Sequence, residues 1–274
     1  MNRWLTTLLS GRIRPTATPP APAGISPTPT SHRLEASWAQ TAADIELAQR
    51  LRYDVFATEM GAQLRPPAGT PPGLDIDHLD PLCEHLLIKA HRGEEMQAVG
   101  TYRILTPGAA RLAGALYTEG EFHAPALEPL KPQMVELGRS CIHPDWRTGG
   151  VIMMLWSSLM QFMVRNDLRY MVGCASMSLR DGGHEAASLW QQLRDSHLAD
   201  VSQRVEPRLP LPVDQLECHR TVEPPPLIKG YLSIGAQVLG PPAWDPDFGT
   251  ADFPMLLDIE AMSPAYRKRL LRQA

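Results

Sequence analysis

Two charged residues, Glu136 and Arg139, stand among apolar positions in MVELGRSCIHPDWRTGGVIMMLWSSLMQFM, residues 134–163. Val135, Leu137, Cys141 and Ile142 around them predict a buried strand, which His143-Pro144-Asp145 ends because proline cannot donate to a ladder. Arg147 and the pair Gly149-Gly150 follow and open an apolar helix predicted over 151–164. A strand, a glycine turn and a helix start point free backbone N–H groups at an anion, with Arg147 as a second contact. A phosphate-bearing ligand beside a carboxylate and a guanidinium implies an enzyme site.

Glu136 and Arg139 are three apart, so ideal alternation places them on opposite faces of a strand. A bulge at Gly138 would bring both to one side and free N–H groups, near Gly138 to Ser140, for an oxyanion. The competing reading is a structural ion pair elsewhere in the sheet. Cys141 and His143 read as packing rather than as nucleophile and base, since nothing in the sequence lowers the thiol pKa.

Three further groups have chemistry to offer. Arg52 lies on the first predicted helix, four residues before Phe56 and on the same face. Asp75, Asp77 and Asp80 crowd carboxylates after a Pro-rich loop, as a pocket for an ammonium group or as a turn of solvated acids. Arg103 sits within a strand, on its solvent face or aimed into a cleft.

The elements that must position these residues follow from periodicity. A first strand is expected over 33–40 and a helix over 42–60, with Ile45, Leu47, Ala48, Leu51, Val55 and Phe56 as its apolar stripe. Strands over 83–91 and 97–105 flank Arg92-Gly93-Glu94-Glu95 as a hairpin, and a short helix falls in 114–122. After the strand of Glu136 and the long helix come a strand over 170–176 and a helix over 184–195. Residues 199–229 are proline-rich with two weak strands; strands over 230–239 and 253–259 and a basic helix over 264–272 close the chain. The pattern gives an α/β (α+β) fold: a mixed sheet with helices on both faces.

The chain has 274 residues, 43% of them hydrophobic, and a net charge of −4. That is ample for one core, expected over 33–274. The mild acidity argues against a general nucleic-acid binder. Cys83, Cys141, Cys174 and Cys218 are widely spaced and imply neither a zinc site nor a disulfide framework, so reduced thiols in the cytoplasm are expected. No run approaches the ~20 apolar residues of a membrane span. Residues 1–32 read as a flexible Pro-rich tail, with MNRWLTTLLSGRIR open to two readings, a disordered start or an interfacial helix on anionic headgroups.

The segments LRYDVF, DIDHLD, GTYRIL, ELGRSCIHPDWRTGGVIMMLW, YMVGCAS and GYLSIGAQVLGPPAWDPDFGTAD, in this order, closely resemble the bacterial L-ornithine N-alpha-acyltransferases. That family lies in the GNAT superfamily and is similar to the acyl-homoserine lactone synthases. The resemblance covers about residues 35 to 270. It implies a GNAT-like, mostly antiparallel central sheet, and transfer of a 3-hydroxyacyl group from an acyl carrier protein thioester to the α-amine of L-ornithine. The product would be lyso-ornithine lipid, the first step of ornithine lipid synthesis. It points to Arg52, Phe56, Asp77, Asp80, Arg103, Glu136 and Arg139 as the shared set. Arg147, Gly149, Gly150 and Ile152 match the superfamily's phosphopantetheine loop. Ile152 departs from the small residue usual there, which fits a carrier-protein donor with one phosphate better than a coenzyme A pyrophosphate.

On this resemblance no cofactor is bound permanently, no metal is needed, and the donor arm is the carrier protein's phosphopantetheine. Glu136, directly or through a water, is the expected base. Arg52 or Arg103 would take the amino-acid carboxylate, and Asp77 and Asp80 the δ-ammonium. Arg147, Arg165, Arg169, Arg267, Lys268, Arg269 and Arg272 would supply a basic surface for the carrier protein or for peripheral contact with the inner membrane. Alternatives kept open are a homoserine lactone or other N-acyl amino acid synthase, a non-catalytic GNAT-like binding module, and a coenzyme A-dependent acetyltransferase.

Overall fold

A computed structural model of the chain describes residues 33–147 and 149–272. The tail expected over 1–32 lies outside the described residues. β1 (Arg33–Trp38) leads to α1 (Ala42–Tyr53), whose start is fixed by a capping box. The Thr41 hydroxyl accepts from the Asp44 N–H, and the Asp44 carboxylate accepts from the Thr41 N–H. The helix runs on as a π turn, Asp54–Glu59, instead of continuing in α form to residue 60. A π turn re-aims the side chains it carries, and Phe56 is one of them.

β2 (Glu84–Arg92) and β3 (Glu95–Leu105) pair as the expected hairpin. Gly93, at φ 62°, supplies the left-handed backbone that a two-residue loop demands. α2 (Pro107–Ala113) and α3 (Tyr117–Glu121) follow, then β4 (Phe122–His123) and β5 (Met134–Ile142). α4 (Gly150–Arg165) crosses to β6 (Tyr170–Ser178), which runs parallel to β5. Next come α5 (His184–Ser196), β7 (Glu206–Pro207), α6 (Pro226–Ser233) and β8 (Gln237–Val238). β9 (Ala243–Asp245), β10 (Thr250–Asp258) and α7 (Pro264–Arg272) close the described residues.

The central sheet runs β1-β2-β3-β5-β6-β10-β8, with β9 on β10, and only β5–β6 is parallel among these pairs. β4 and β7 form a separate ladder. α4, α5 and α7 cover one face through Leu155, Leu159, Leu189, Leu193 and Leu270. The opposite face packs Ala48 and Leu51 of α1 with Phe56 of the π turn near one end and Leu116, Phe122 and Leu127 near the other. This is the mixed α/β architecture with a mostly antiparallel sheet.

The strand expected over 230–239 is instead α6 followed by the two residues of β8. GYLSIGAQVL alternates like a strand. Pro226 in the first turn starts a helix, and Gly230 lets that helix lie on Trp156: a Cβ there would sit 2.3 Å from the indole ring. α2 and β9 are additions to the expected set, and in 199–229 the one named strand is β7.

Candidate active site

The site grows from a parting of strands. β5 and β6 pair only at Met134, Val135 and Glu136 with Tyr170, Met171 and Val172; beyond that they diverge. At the apex Gly173 lets the strands touch, since a Cβ there would lie 2.5 Å from the Leu137 carbonyl oxygen. The opening leads into a cavity of about 790 Å³. One wall is Leu137 to Ile142; the other includes Gly173, Cys174 and Ser176. N–H groups of β5 that point toward the missing β6 ladder have no strand partner on that side.

The predicted bulge is present. Thr101 pairs with Cys141 and Arg103 with Gly138, so Tyr102 stands opposite two residues, Arg139 and Ser140. Arg139 takes a φ of 50°, rare for a side chain other than glycine or asparagine. The flip puts Arg139 on the face that carries Glu136. Both meet α3: the Arg139 guanidinium carbon lies 5.9 Å from the Tyr117 ring, and Glu136 accepts from the Tyr117 N–H at 2.6 Å. The side chain of Ser140 hydrogen-bonds that of Tyr102, and burial pushes the tyrosine pKa up.

Glu136 itself does not face the cavity. It is 4% exposed, and its oxygens accept from the Tyr117 and Thr118 N–H groups and the Thr118 hydroxyl, each at 2.6 Å. Burial raises its pKa above the ordinary carboxylate value, against the pull of those donors. A carboxylate so enclosed holds the start of α3 and with it the Tyr117 ring. It is linked to the cavity through α3: Tyr117 lines the wall, and the Thr118 hydroxyl is 3.8 Å from the Cys174 thiol on that wall. Glu136 is thus not among the residues lining the cavity, and of the two expected routes for the proton the direct one has no contact to use.

The residues expected for the substrate, Arg52, Arg103, Asp77 and Asp80, pair with one another in this structure. Arg52 is fully buried and donates to Asp75 at 2.9 Å and to Asp80 at 2.7 Å. Arg103 donates to Asp77 at 2.6 Å and to Asp80 at 2.9 Å. Arg139 completes the set, with Nε 3.3 Å from Asp75 and Nη2 3.5 Å from Asp77. Three arginines and three aspartates cancel in charge, and Arg103 holds Asp77 down at about 2 despite its burial. Removing one partner of such a network leaves a buried charge uncompensated. Its members outside the cavity wall, Arg52, Asp75, Asp77 and Asp80, hold Arg103 and Arg139, which do line the cavity.

Of the three arginines on the cavity wall, Arg103, Arg139 and Arg147, it is Arg139 that aromatic rings flank. Phe248 lies 4.7 Å from its guanidinium carbon and Phe56 6.0 Å, so aromatic faces sheathe it as they would for a cation–π contact. At the other end of the cavity Ile152 and Trp156 of α4, Tyr231 of α6, Met171, Met255 and Leu257 make an apolar wall. Trp156 and Tyr231 stack with centroids 5.7 Å apart. A smaller void beyond them shares Leu137, Trp156, Met171, Tyr231 and Leu257 and ends on Leu270 of α7.

At the mouth, Gly149 takes φ 95° and no side chain among the described residues caps α4, which leaves the N–H groups of its first turn for an anion. Gly149 and Ile152 line the cavity; Gly150 is exposed beside them. Arg147 does not reach this anion position freely. It grips Glu59 with two bonds of 2.7 Å, which lowers the Glu59 pKa. Burial pushes the Cys141 thiol up to about 12, in keeping with packing rather than nucleophilic chemistry. No group of metal-ligating side chains occurs among the described residues.

Residues 51–157 match the model of the acetyltransferase (GNAT) domain. The chain is 33% identical over 245 residues to L-ornithine N(alpha)-acyltransferase of Rhizobium meliloti (strain 1021), covering 85% of this chain and 82% of that one. It is 34% identical over 247 residues to the protein of that name in Rhodobacter capsulatus, covering 86% and 93%. The chain belongs to the L-ornithine N(alpha)-acyltransferase family. It is an N-acyltransferase of GNAT fold. Among solved structures it is similar to BjaI, a CoA-dependent acyl-homoserine lactone synthase, at 17% identity and a TM-score of 0.49, over 89% of each chain.

Sequence reasoning about this N-acyltransferase overlooked the side chains that finish the cavity: Tyr117, Ser176, Tyr231, Asp245, Phe248 and Asp252. Three of them lie in PAWDPDFGTAD, where three acids and two aromatics within eleven residues were the available signal.

Proposed function

We propose that this enzyme transfers a 3-hydroxyacyl group from an acyl carrier protein thioester to the α-amine of L-ornithine, giving lyso-ornithine lipid. The observation that carries the reading is one cavity joining an arginine in an aromatic sheath to an apolar end, across the gap between β5 and β6. The names of the relatives supply ornithine as the acceptor. The open first turn of α4 suits the lone phosphate of a phosphopantetheine arm. Arg165, Arg267, Lys268, Arg269 and Arg272 form no ion pairs among the described residues and remain for an acidic carrier protein, whereas Arg147 and Arg169 are engaged by Glu59, Asp258 and Glu260. The same reading puts the enzyme at the cytoplasmic face of the inner membrane, where a singly acylated amino acid would leave.

Arg139 holds the acceptor's α-carboxylate, which sets the α-nitrogen against the thioester carbonyl. Of the acceptor's two amines the α-nitrogen is the weaker base, a side-chain amine having a pKa of about 10.4, so the α-nitrogen is the one more readily neutral near pH 7 and attack by it follows. The C–N bond forms as the carbonyl oxygen gains charge beside the unladdered N–H groups of β5. The C–S bond then breaks, and the proton lost by nitrogen passes through water to the thiolate. Glu136 acts as a positioning residue through Tyr117 and Thr118.

The test is mass spectrometry of the full-length chain incubated with 3-hydroxyacyl carrier protein and L-ornithine. Nα-acyl-ornithine is expected. Thioester that stays intact with ornithine, or is consumed only with another amine, overturns the reading.

A further inference from the structure

A second polar feature of the cavity stands away from the arginine–aspartate network. β9 pairs with β10 so that Asp245 is opposite Thr250 and Ala243 opposite Asp252, which puts both aspartates on one face of the ribbon. Both line the cavity, and both are more than nine-tenths buried, at 7% and 3% exposure. Oδ1 of Asp245 accepts from the N–H groups of Asp247 and Phe248 at 2.9 and 3.1 Å. Oδ2 of Asp245 accepts no hydrogen bond among the described residues. Oδ1 of Asp252 accepts from the Thr250 hydroxyl at 2.9 Å, and the side chain of Ser176 also bonds the carboxyl.

What the pair lacks is a cation. Neither acid forms an ion pair among the described residues, although each is buried in a wall where an unpaired carboxylate is costly. Burial and the charge of Asp245 raise the Asp252 pKa to about 6. Behind Tyr117, Glu121 rises to about 7 through burial and the charges of Asp252 and Asp245. The cluster is thus an unfilled negative site, opposite in sign to Arg139 and opening on the same cavity.

We propose that Asp245 and Asp252 are the subsite for the distal ammonium of a diamino-acid acceptor whose α-carboxylate lies on Arg139. The inference rests on the amino-acid acceptor reading above and adds the determinant of side-chain choice. Two fixed charges of opposite sign grip both ends of the acceptor. They orient the amine between them toward the thioester and exclude amino acids that end in a methyl or hydroxyl. Asp245 supplies the open acceptor oxygen. Asp252, steadied by Thr250 and Ser176, supplies the second charge.

The experiment is calorimetric titration of the full-length chain with L-ornithine and with L-norvaline, its analogue lacking the distal amine. Wild type, Asp245→Asn and Asp252→Asn are compared, with circular dichroism confirming that each variant is folded. Wild type should bind ornithine at least tenfold more tightly than norvaline. Each substitution should cut that ratio to threefold or less through weaker ornithine binding, with norvaline not weakened. Equal affinity of wild type for the two ligands, no ornithine binding, or a ratio unmoved in both folded variants overturns the proposal. If discrimination follows the aspartates while no acyl transfer to ornithine occurs, the transfer reading fails and the diamine subsite stands.

Discussion

Arg139 and Phe248 meet face on, the guanidinium carbon 4.7 Å from the ring centroid, while Nε of the same arginine is anchored 3.3 Å from Asp75. One arginine therefore joins a buried ion network to the wall of a cavity. Arg52 belongs to that network without touching the cavity, which separates two kinds of arginine variant. Arg139→Lys loses the planar fork and should raise the acceptor KM about tenfold or more, equivalent to about 1.4 kcal/mol, with a small change in Tm. Arg52→Met strands Asp75 and Asp80 and should cost about 3–5 kcal/mol of stability. Enzyme that remains folded should keep its acceptor KM. Urea melts beside steady-state kinetics check both; an acceptor KM that rises with Arg52→Met and not with Arg139→Lys would reverse the assignment.

Glu136 holds α3 by accepting from the Tyr117 and Thr118 N–H groups. Glu136→Gln turns an amide NH₂ toward donors that need an acceptor, so stability should fall by about 1–3 kcal/mol. Activity should fall because Tyr117 and Arg139 lose their setting, yet the acid limb of the kcat/KM profile should keep its midpoint. A general base would behave otherwise, since its removal abolishes the limb it controls. Loss of that limb in the variant would restore Glu136 as the base.

The stacked pair Trp156 and Tyr231 stands between the main cavity and the smaller void that ends at Leu270. Trp156→Ala should merge the two spaces and move the preferred acyl chain to greater length, while shorter chains lose affinity through lost contact. Gly230→Ala should do the reverse, because its Cβ would drive the indole from its present position. Competition among 3-hydroxyacyl carrier proteins of several chain lengths, read by mass spectrometry, measures the shift. An unchanged product distribution in both variants would place the acyl end elsewhere.

A bulge in β5 was legible in the sequence because a strand with two charges three apart has few ways to use both; it was expected at Gly138 and falls at Arg139 and Ser140. The glycine start of α4 and the β2–β3 hairpin were legible for similarly local reasons. The mutual pairing of Arg52, Arg103, Asp77 and Asp80 was not. Each residue is as well suited by type to a substrate as to its neighbour, and only the packing of α1 over β3 and β5 decides. Asp245 and Asp252 escaped for a related reason: their face is set by the register of a three-residue strand. Phe56 was found by its spacing from Arg52, but a π turn, invisible in an apolar stripe, is what carries it to Arg139.

Asp252 and Glu121 give the free enzyme an unusual dependence on pH. The folded pKa of Asp252, about 6, lies above its ordinary 3.8, and that of Glu121, about 7, lies above 4.5. Between these values the unfolded chain ionises first. The stability each neutral carboxyl contributes is therefore whole below about pH 4 and is lost as pH rises through 6 to 7. For Asp252 the shift corresponds to about 3 kcal/mol at neutral pH. Asp77, held at about 2 by Arg103, works in the opposite sense and loses its contribution only as pH falls below 4. The informative quantity is consequently the difference between wild type and Asp252→Asn. The variant should gain Tm relative to wild type at pH 7.5 and lose that advantage at pH 4.5. Ornithine, whose ammonium compensates the ionised acid, should raise the wild-type Tm more at pH 7.5 than at pH 5. A difference between the two proteins that does not change with pH would show that the Asp252 carboxyl ionises as it does in water.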